Sequence, residues 1–152
     1  MCTSFLGELM TATHNFGTAP TRGTSAADTF KAALYLASAT INASTTAYTV
    51  TGEVSGTGYS AGGVTVTNAT APLSTNTSAT AGTGYWTPSA SITYTSVTLT
   101  TAFDTVLIYN STQSNKAVSV HTFGSQTITA GTFTLTMPAN TTSTALLRLA
   151  TT

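Results

Sequence analysis

The sequence predicts an all-β protein, with a single β-sandwich or jelly-roll-like domain behind a short N-terminal helix or arm. From Thr29 onward, apolar residues alternate with polar ones, which is the period of a half-buried strand. These segments recur at intervals of roughly 10 residues and are closed by Asn, Gly, Ser or Pro, as in sandwiches and barrels. Thr fills roughly a quarter of the chain, and its branched Cβ favours a pleated surface. A length of 152 residues suits one hydrophobic core.

The N-terminal segment carries the best helix candidate, residues 3–14, with Ser4 as its predicted N-cap. Its apolar stripe consists of the i,i+4 pairs Phe5 with Leu9 and Leu6 with Met10. Because the stripe is short, this helix is expected to be stable only when docked on something. Residues 15–27 read as a loop. We therefore divide the chain into an N-terminal arm, residues 1–27, and a β-sandwich domain, residues 28–152.

The strands of the sandwich are predicted from alternation and from turn residues. Gly52 is expected to mark a break or bulge, and Pro88 is confined to a turn or an edge. Residues 70–84 are the most polar part and are expected to form a surface excursion. The candidate strands are 29–36, 47–54, 63–70, 85–100, 103–110, 116–124, 131–138 and 143–150.

The aromatic residues are predicted to form the core, because long aliphatic side chains are scarce elsewhere. A carbohydrate-binding platform is the alternative interpretation. The set comprises Phe30, Tyr35, Trp86, Tyr94, Phe103, Tyr109, Phe123 and Phe133.

Charge is unusually scarce, since Asp, Glu, Lys and Arg make up 5% of the chain and the formal net charge is +0. Four dispersed cations cannot supply the counterion release on which nucleic-acid binding depends, so no nucleic-acid partner is expected. No apolar run approaches the roughly 18 residues of a membrane span, and the first residues do not resemble a signal peptide. Such a surface is typical of proteins that finish inside a large assembly, or as fibres and adhesins.

The stretch GTGYSA, residues 56–61, matches the glycine pattern of dinucleotide-binding loops. That chemistry needs a following helix and an acidic residue about 20 positions on. Here a Thr-Val strand pattern follows, and the next acid after Glu53 is Asp104. We interpret the stretch as a glycine-rich connection between strands, and no cofactor is expected.

Catalytic and metal-binding residues are not predicted. His14 and His121 have no His, Cys or acid at metal-ligand spacing, and both are interpreted as structural, although Asp104 could orient His121 across adjacent strands. The single cysteine, Cys2, permits no internal disulfide and is interpreted as a small buried hydrophobe. Five N-x-S/T sequons are interpreted as turn residues; they begin at Asn42, Asn68, Asn76, Asn110 and Asn140.

Several segments, in this order, together resemble small virion proteins of tailed bacteriophages, of the head decoration or cement type. They span nearly the whole chain, and only residues 70–84 depart from the pattern by being longer and more polar. The matching segments are CTSF at 2–5, EL at 8–9, HNF at 14–16, DTFKAALY at 28–35, TAYTVTGEVSGTGYSAGG at 46–63, LIYNS at 107–111, NKAV at 115–118 and FGS at 123–125.

The resemblance implies a protein that is made in the host cytoplasm, binds the outside of the phage head and ties major capsid subunits together. It implies no catalytic residue. Homo-oligomerisation, as a trimer or dimer on a capsid symmetry axis, is expected. The predicted capsid contacts lie in the arm: Phe5, Leu6, Leu9, Met10, His14 and Phe16. The alternatives are a tail or head-fibre component with a partner- or glycan-recognition role, an extracellular adhesin or carbohydrate-binding module, and, least favoured, an enzyme.

Overall fold

Two antiparallel sheets and one short helix make up the computed structural model, which describes residues 1–10, 12–16, 27–68, 71–75 and 82–151; the side chains of residues 6, 7 and 10 are outside the description. The helix is α1 (Thr3–Met10). The strands are β1 (Phe30–Leu36), β2 (Val64–Thr65), β3 (Leu73–Ser74), β4 (Thr83–Trp86), β5 (Ile92–Asn110), β6 (Lys116–Leu135) and β7 (Leu147–Ala150). The larger sheet has the order β2-β1-β5-β6, and the smaller has the order β3-β4-β7. The fold is therefore all-β and sandwich-like with a short N-terminal helix, as the sequence predicts.

A long hairpin of β5 and β6 dominates the larger sheet, where the sequence pattern predicts four separate strands. Residues 92–110 contain no Gly or Pro, so nothing ends the strand near residue 101. Register shifts between Tyr94 and Thr105 absorb the local mismatches, with Ser96 and Ala130 at positive φ. The turn is fixed by Asn110, whose Oδ1 accepts the backbone N–H groups of Thr112 and Gln113, both at 3.1 Å.

Residues 47–54, predicted as a strand, form a loop that packs against β1. Only isolated bridges occur there, from Tyr35 to Glu53 and from Ala47 to Lys116. Val50 is 69% exposed, whereas Val54 is buried in the core. The alternation of apolar and polar residues in this segment therefore does not come from a strand. Single loop residues such as Val54 pack into the core, while their neighbours stay exposed.

The glycine-rich connection at residues 52–63 lies so close to β1 and β5 that Gly56 and Gly63 have no room for a side chain. A Cβ at Gly63, where φ is +69°, would lie 1.7 Å from the carbonyl oxygen of Ala32. A Cβ at Gly56 would lie 2.0 Å from the carbonyl oxygen of Thr98. Strand β2 follows this connection, so the interpretation of GTGYSA as an inter-strand connection is confirmed.

Helix α1 ends earlier than the predicted residue 14, at Met10, in a Schellman-type cap. Ala12 has a φ of 53°, its N–H donates to Leu9, and the N–H of Thr13 donates to Glu8. The predicted N-cap is wrong: Ser4 lies inside the helix, and its hydroxyl has no hydrogen-bond partner among the described residues.

The core lies between the sheets and under α1, and it is aromatic. Phe16 stacks on Phe30 with a centroid distance of 4.4 Å and meets Trp86 edge-on at 4.8 Å, which joins the helix region, the larger sheet and the smaller sheet. Six residues of the predicted aromatic set are buried, and Phe123 and Phe133 are partly buried against them. The core prediction is confirmed, and none of the eight forms an exposed platform.

Candidate functional site

An apolar groove lies between α1 and the smaller sheet. Among the described residues, large apolar side chains are exposed at four positions, and three of them, Met1, Leu73 and Leu149, line this groove at 40%, 46% and 42% exposure. The fourth, Val50, lies elsewhere. The groove holds about 130 Å³. Apolar side chains that stay in contact with water around one concave site are a candidate contact surface for a partner.

The strand register of the smaller sheet creates the open shape of the groove. Leu149 on β7 pairs with Gly84 on β4, and Leu73 on β3 pairs with Tyr85. Gly84 contributes no side chain, and a Cβ there would meet only the carbonyl oxygen of Leu149, at 3.9 Å. Leu149 therefore lies beside a low floor at Gly84, whereas Leu73 is paired with the next residue of β4, alternates to the other face of the sheet and lines the groove from the edge strand β3. Residues 71–75 and 82–84, predicted as part of a polar excursion, thus supply one wall of the groove.

Three of the six residues predicted to touch a capsid, Phe5, Leu9 and Phe16, line the groove. Phe5 and Phe16 are 2% and 7% exposed, so they act as its base, while Leu9 is partly buried. The ring of His14 is fully buried inside the protein. The side chains of Leu6 and Met10 lie outside the described residues. Sequence reasoning missed Met1, Leu73, Trp86 and Leu149, which come from distant segments.

The predicted N-terminal arm, residues 1–27, is integrated into the domain wherever the structure describes it; residues 17–26 lie outside the description. The N–H of Cys2 donates to Val118 at 2.9 Å, and the N–H of Thr3 donates to Ala43 at 2.9 Å. Phe5 and Phe16 belong to the same core cluster as β1 and β5. Removing residues 1–20 would therefore expose the core, so the binding role of this region is better tested with point variants.

A buried polar network pins the other side of α1. Glu8 accepts hydrogen bonds from Lys116 and His14, each at 2.8 Å. Atom Nδ1 of His14 lies 3.0 Å from the amide nitrogen of Asn110, which also donates to Asp28 at 2.7 Å. Because Oδ1 of Asn110 accepts from backbone N–H groups, its amide nitrogen must donate to His14, and the other ring nitrogen of His14 donates to Glu8.

The electrostatics of this network favour charged Glu8. Burial alone would raise the pKa of the Glu8 carboxyl, but the hydrogen bonds from Lys116 and His14, together with the positive charge of Lys116, outweigh burial and lower that pKa. Asp28 also accepts hydrogen bonds from the backbone of Asn15 at 2.8 Å and from Gln113 at 3.1 Å. Both carboxylates are thus satisfied inside the protein, so the network stabilises the fold.

Glu53 is the centre of a second polar cluster, formed with tyrosines. Its carboxylate accepts from the hydroxyls of Tyr48 and Tyr59, at 2.6 and 2.7 Å, and from the N–H of Gly62 at 2.8 Å. Burial and the neighbouring carboxylate raise the pKa of both tyrosines above the ordinary value. The tyrosine of GTGYSA, Tyr59, therefore donates a hydrogen bond to a carboxylate that stabilises the fold. A phosphate-binding loop would instead hold an anionic ligand.

The predicted pairing of Asp104 with His121 is wrong. The register places Val106 opposite His121, whose ring nitrogen lies 2.9 Å from the hydroxyl of Ser119. Asp104 instead accepts a hydrogen bond from Thr105 at 2.7 Å. Burial, with a smaller contribution from the N-terminal amine, lowers the pKa of His121 to about 4. Because Ser119 is 1% exposed, it is not accessible as a nucleophile.

The remaining candidate residues, Cys2 and the sequon asparagines that the structure describes, are buried or hydrogen-bonded within the fold at most positions. Cys2 is fully buried, and burial is the main cause of its raised thiol pKa. Asn42 and Asn110 organise turns as predicted, whereas Asn68 bridges the carbonyl of Phe16 and the indole of Trp86. Asn76 lies outside the described residues. In the described ranges, no three His, Cys, Asp or Glu residues cluster as metal ligands, and no helix is long and apolar enough to cross a membrane.

Comparisons of the chain with protein-family models, with curated proteins and with solved structures found no match. The groove and the surface chemistry of the chain are therefore the features that bear on its function.

Proposed function

We propose that this chain is a structural virion protein of the head decoration or cement type, which docks on the major capsid protein of a tailed bacteriophage through the apolar groove. The observation that carries the proposal is the convergence of Met1, Leu73 and Leu149 on one groove. The sequence resemblance to phage virion proteins supplies the identity of the partner.

The groove has the chemistry of a protein-binding site. Covering a half-exposed leucine or methionine removes apolar surface from water and contributes about 1 kcal/mol per side chain. Phe5, Phe16 and Trp86 form a rigid aromatic base, so little side-chain freedom is lost on binding. Among the described residues, Arg148 is the only charged one on the lining, which keeps the desolvation cost of an interface small.

The scarcity of surface charge also supports a role in an assembly. A cement protein is present in many copies at high local density, where a large net charge would cause repulsion between neighbours. The formal net charge is +0, and Glu8, Asp28 and Glu53 are all engaged in internal hydrogen bonds. The outside is mainly Thr, Ser, Ala and Gly, which stay hydrated without charge.

The test is binding of purified protein to phage heads that lack it, measured by co-sedimentation. The Leu73→Asp/Leu149→Asp variant places charge in the groove, and Val50→Asp is the matched control at the exposed hydrophobe outside it. A buried unpaired charge opposes binding by several kcal/mol, so the groove variant should bind at least ~100-fold more weakly. Val50→Asp should bind like the natural protein, and both should retain the natural melting temperature within a few degrees.

The position of the chain on the intact particle provides a second test. Density over the head lattice, with the groove against capsid subunits, is the expected result of a particle reconstruction. Density on the tail would replace the cement function with the tail or head-fibre alternative. Equal binding by the groove variant and by Val50→Asp would overturn the role of the groove.

A further inference from the structure

Strand β6 leaves one edge of the larger sheet open. Near the hairpin turn this edge is covered, because the N–H of Ala117 donates to Thr46 at 3.0 Å and the carbonyl of Val118 accepts from Cys2 at 2.9 Å. Beyond Val118, no described strand pairs with the outer side of β6. Every second residue of an edge strand presents its N–H and C=O to the open side, which makes the edge a template for another strand.

Short length, charge and proline, three of the usual protections of an open edge, are missing from the outer part of β6. Natural edge strands are short or carry charges and prolines that block pairing. Strand β6 is 20 residues long, and its only Asp, Glu, Lys, Arg or Pro is Lys116, at the covered end. Its middle is irregular, with register shifts against β5 between Tyr94 and Thr105. Residues 133–135 pair regularly with residues 92–94 of β5, Thr132 and Thr134 are exposed, and Phe133 turns toward the core cluster.

We propose that the outer edge of β6 at residues 131–135 pairs antiparallel with the same segment of a second copy of this chain. The result is a two-fold dimer in which the two larger sheets become continuous. In such a dimer, centred on Phe133, Thr132 of one copy lies opposite Thr134 of the other, so like charges at these two positions would repel. An uncharged edge of Thr has no such repulsion, and cross-strand Thr pairs are favourable.

This dimer goes beyond the proposed capsid binding and does not depend on it. No residue of β6 lines the groove, so the edge and the groove are separate surfaces. A dimer formed at the edge leaves both grooves free, and two grooves on one particle bind a repetitive lattice with higher avidity.

The test introduces charges at the exposed threonines and measures dimerisation by sedimentation velocity over a protein concentration series. Thr132→Lys/Thr134→Lys and Thr132→Glu/Thr134→Glu each place like charges opposite one another, which should raise the dimer Kd roughly tenfold or more. High salt should restore dimerisation, because screening shortens to about 3 Å at 1 M. Mixing the two variants should restore it at low salt, since opposite charges then meet across the interface.

The matched control is Thr40→Lys/Thr51→Lys, which adds the same charge at exposed loop positions away from the edge. It should dimerise like the natural protein, and all variants should melt within a few degrees of one another. A natural protein that sediments as a monomer at every concentration overturns the proposal. So does a dimer whose Kd is the same in the edge variants and in the control.

Discussion

Helix α1 separates two regions of opposite chemistry. On one side Glu8 joins a buried polar network with His14, Asn110 and Asp28, in which each carboxylate accepts at least two hydrogen bonds. On the other side Phe5 and Leu9 face an open apolar groove. In the first region the polar groups are buried and hydrogen-bonded to one another. In the second region apolar side chains are still in contact with water.

The contrast between the hydrogen-bonded acids and the exposed apolar groove indicates where a functional site lies in a protein with few charges. Titratable residues are usually the first candidates for a functional site. Here the three acids Glu8, Asp28 and Glu53 hold the fold together, because each compensates backbone or side-chain donors in the interior. The surface available to a partner is the apolar one. Three predictions test this division between structural polar residues and a free apolar groove.

The largest expected effect is that of Asn110→Ala, which breaks the polar network at its centre. Asn110 is fully buried, and its loss leaves Asp28, His14 and two backbone N–H groups short of partners. The free energy of unfolding should fall by about 3–5 kcal/mol in denaturant titration. The control is Asn42→Ala in an exposed turn, where a loss below ~1 kcal/mol is expected. Equal losses at the two sites would contradict the central role of Asn110.

A smaller, pH-dependent effect is expected for Glu8→Gln. At pH 7 the variant should be less stable by about 1–2 kcal/mol, because it loses the charge-assisted bonds to Lys116 and His14. The folded-state pKa of Glu8 lies below the unfolded value, so its contribution is present above the unfolded pKa and is lost as the pH falls through the folded one.

The melting temperatures of Glu8→Gln and the natural protein should therefore begin to converge as the pH falls below about 4.3, the ordinary pKa of a glutamic acid. His121, with a pKa of about 4, destabilises both proteins as the pH falls from about 6.5, because only the unfolded chain readily takes up that proton. This contribution cancels in the difference between the two proteins. A difference that stays constant from pH 7 to pH 3 would argue against an ionised Glu8 in the network.

The smallest stability effect is expected in the groove, for Leu73→Ala. This side chain is 46% exposed, so its truncation should reduce the free energy of unfolding by less than about 1 kcal/mol. The comparison is Leu107→Ala on β5, which is fully buried and should cost about 2–5 kcal/mol in the same titration. A large loss at Leu73 would mean that the groove is part of the core.

Local pattern predicted much of the fold. Alternation over residues 29–36 corresponds to β1, whose residues 32–35 are all buried, and Pro88 separates β4 from β5 as expected. The pattern failed where pairing decided the outcome. Residues 103–110 continue the strand that begins at Ile92, because β6 is long enough to pair along all of it through register shifts. Alternation describes one strand, whereas its length depends on the neighbour.

The candidate site was predictable only in part. The apolar stripe with Phe5 and Leu9 identified the helix side of the groove. Leu73 is a single hydrophobe in polar surroundings and Leu149 belongs to a predicted strand, and nothing local in the sequence indicates that either lines a groove. The strand order β3-β4-β7 brings them together.

The sequence alone determined the fold class of the protein and the low charge of its surface. Its β-branched and aromatic residues with period two require sheets with one buried face, and its few charges require an unusually neutral surface. The tertiary structure decided what each charge and each exposed hydrophobe does. His14 meets Asn110, and Leu73 and Leu149 come to line the same groove, only after chain segments far apart in sequence have packed. Periodicity depends on neighbours along the chain, whereas hydrogen-bond satisfaction and apolar exposure depend on neighbours in space.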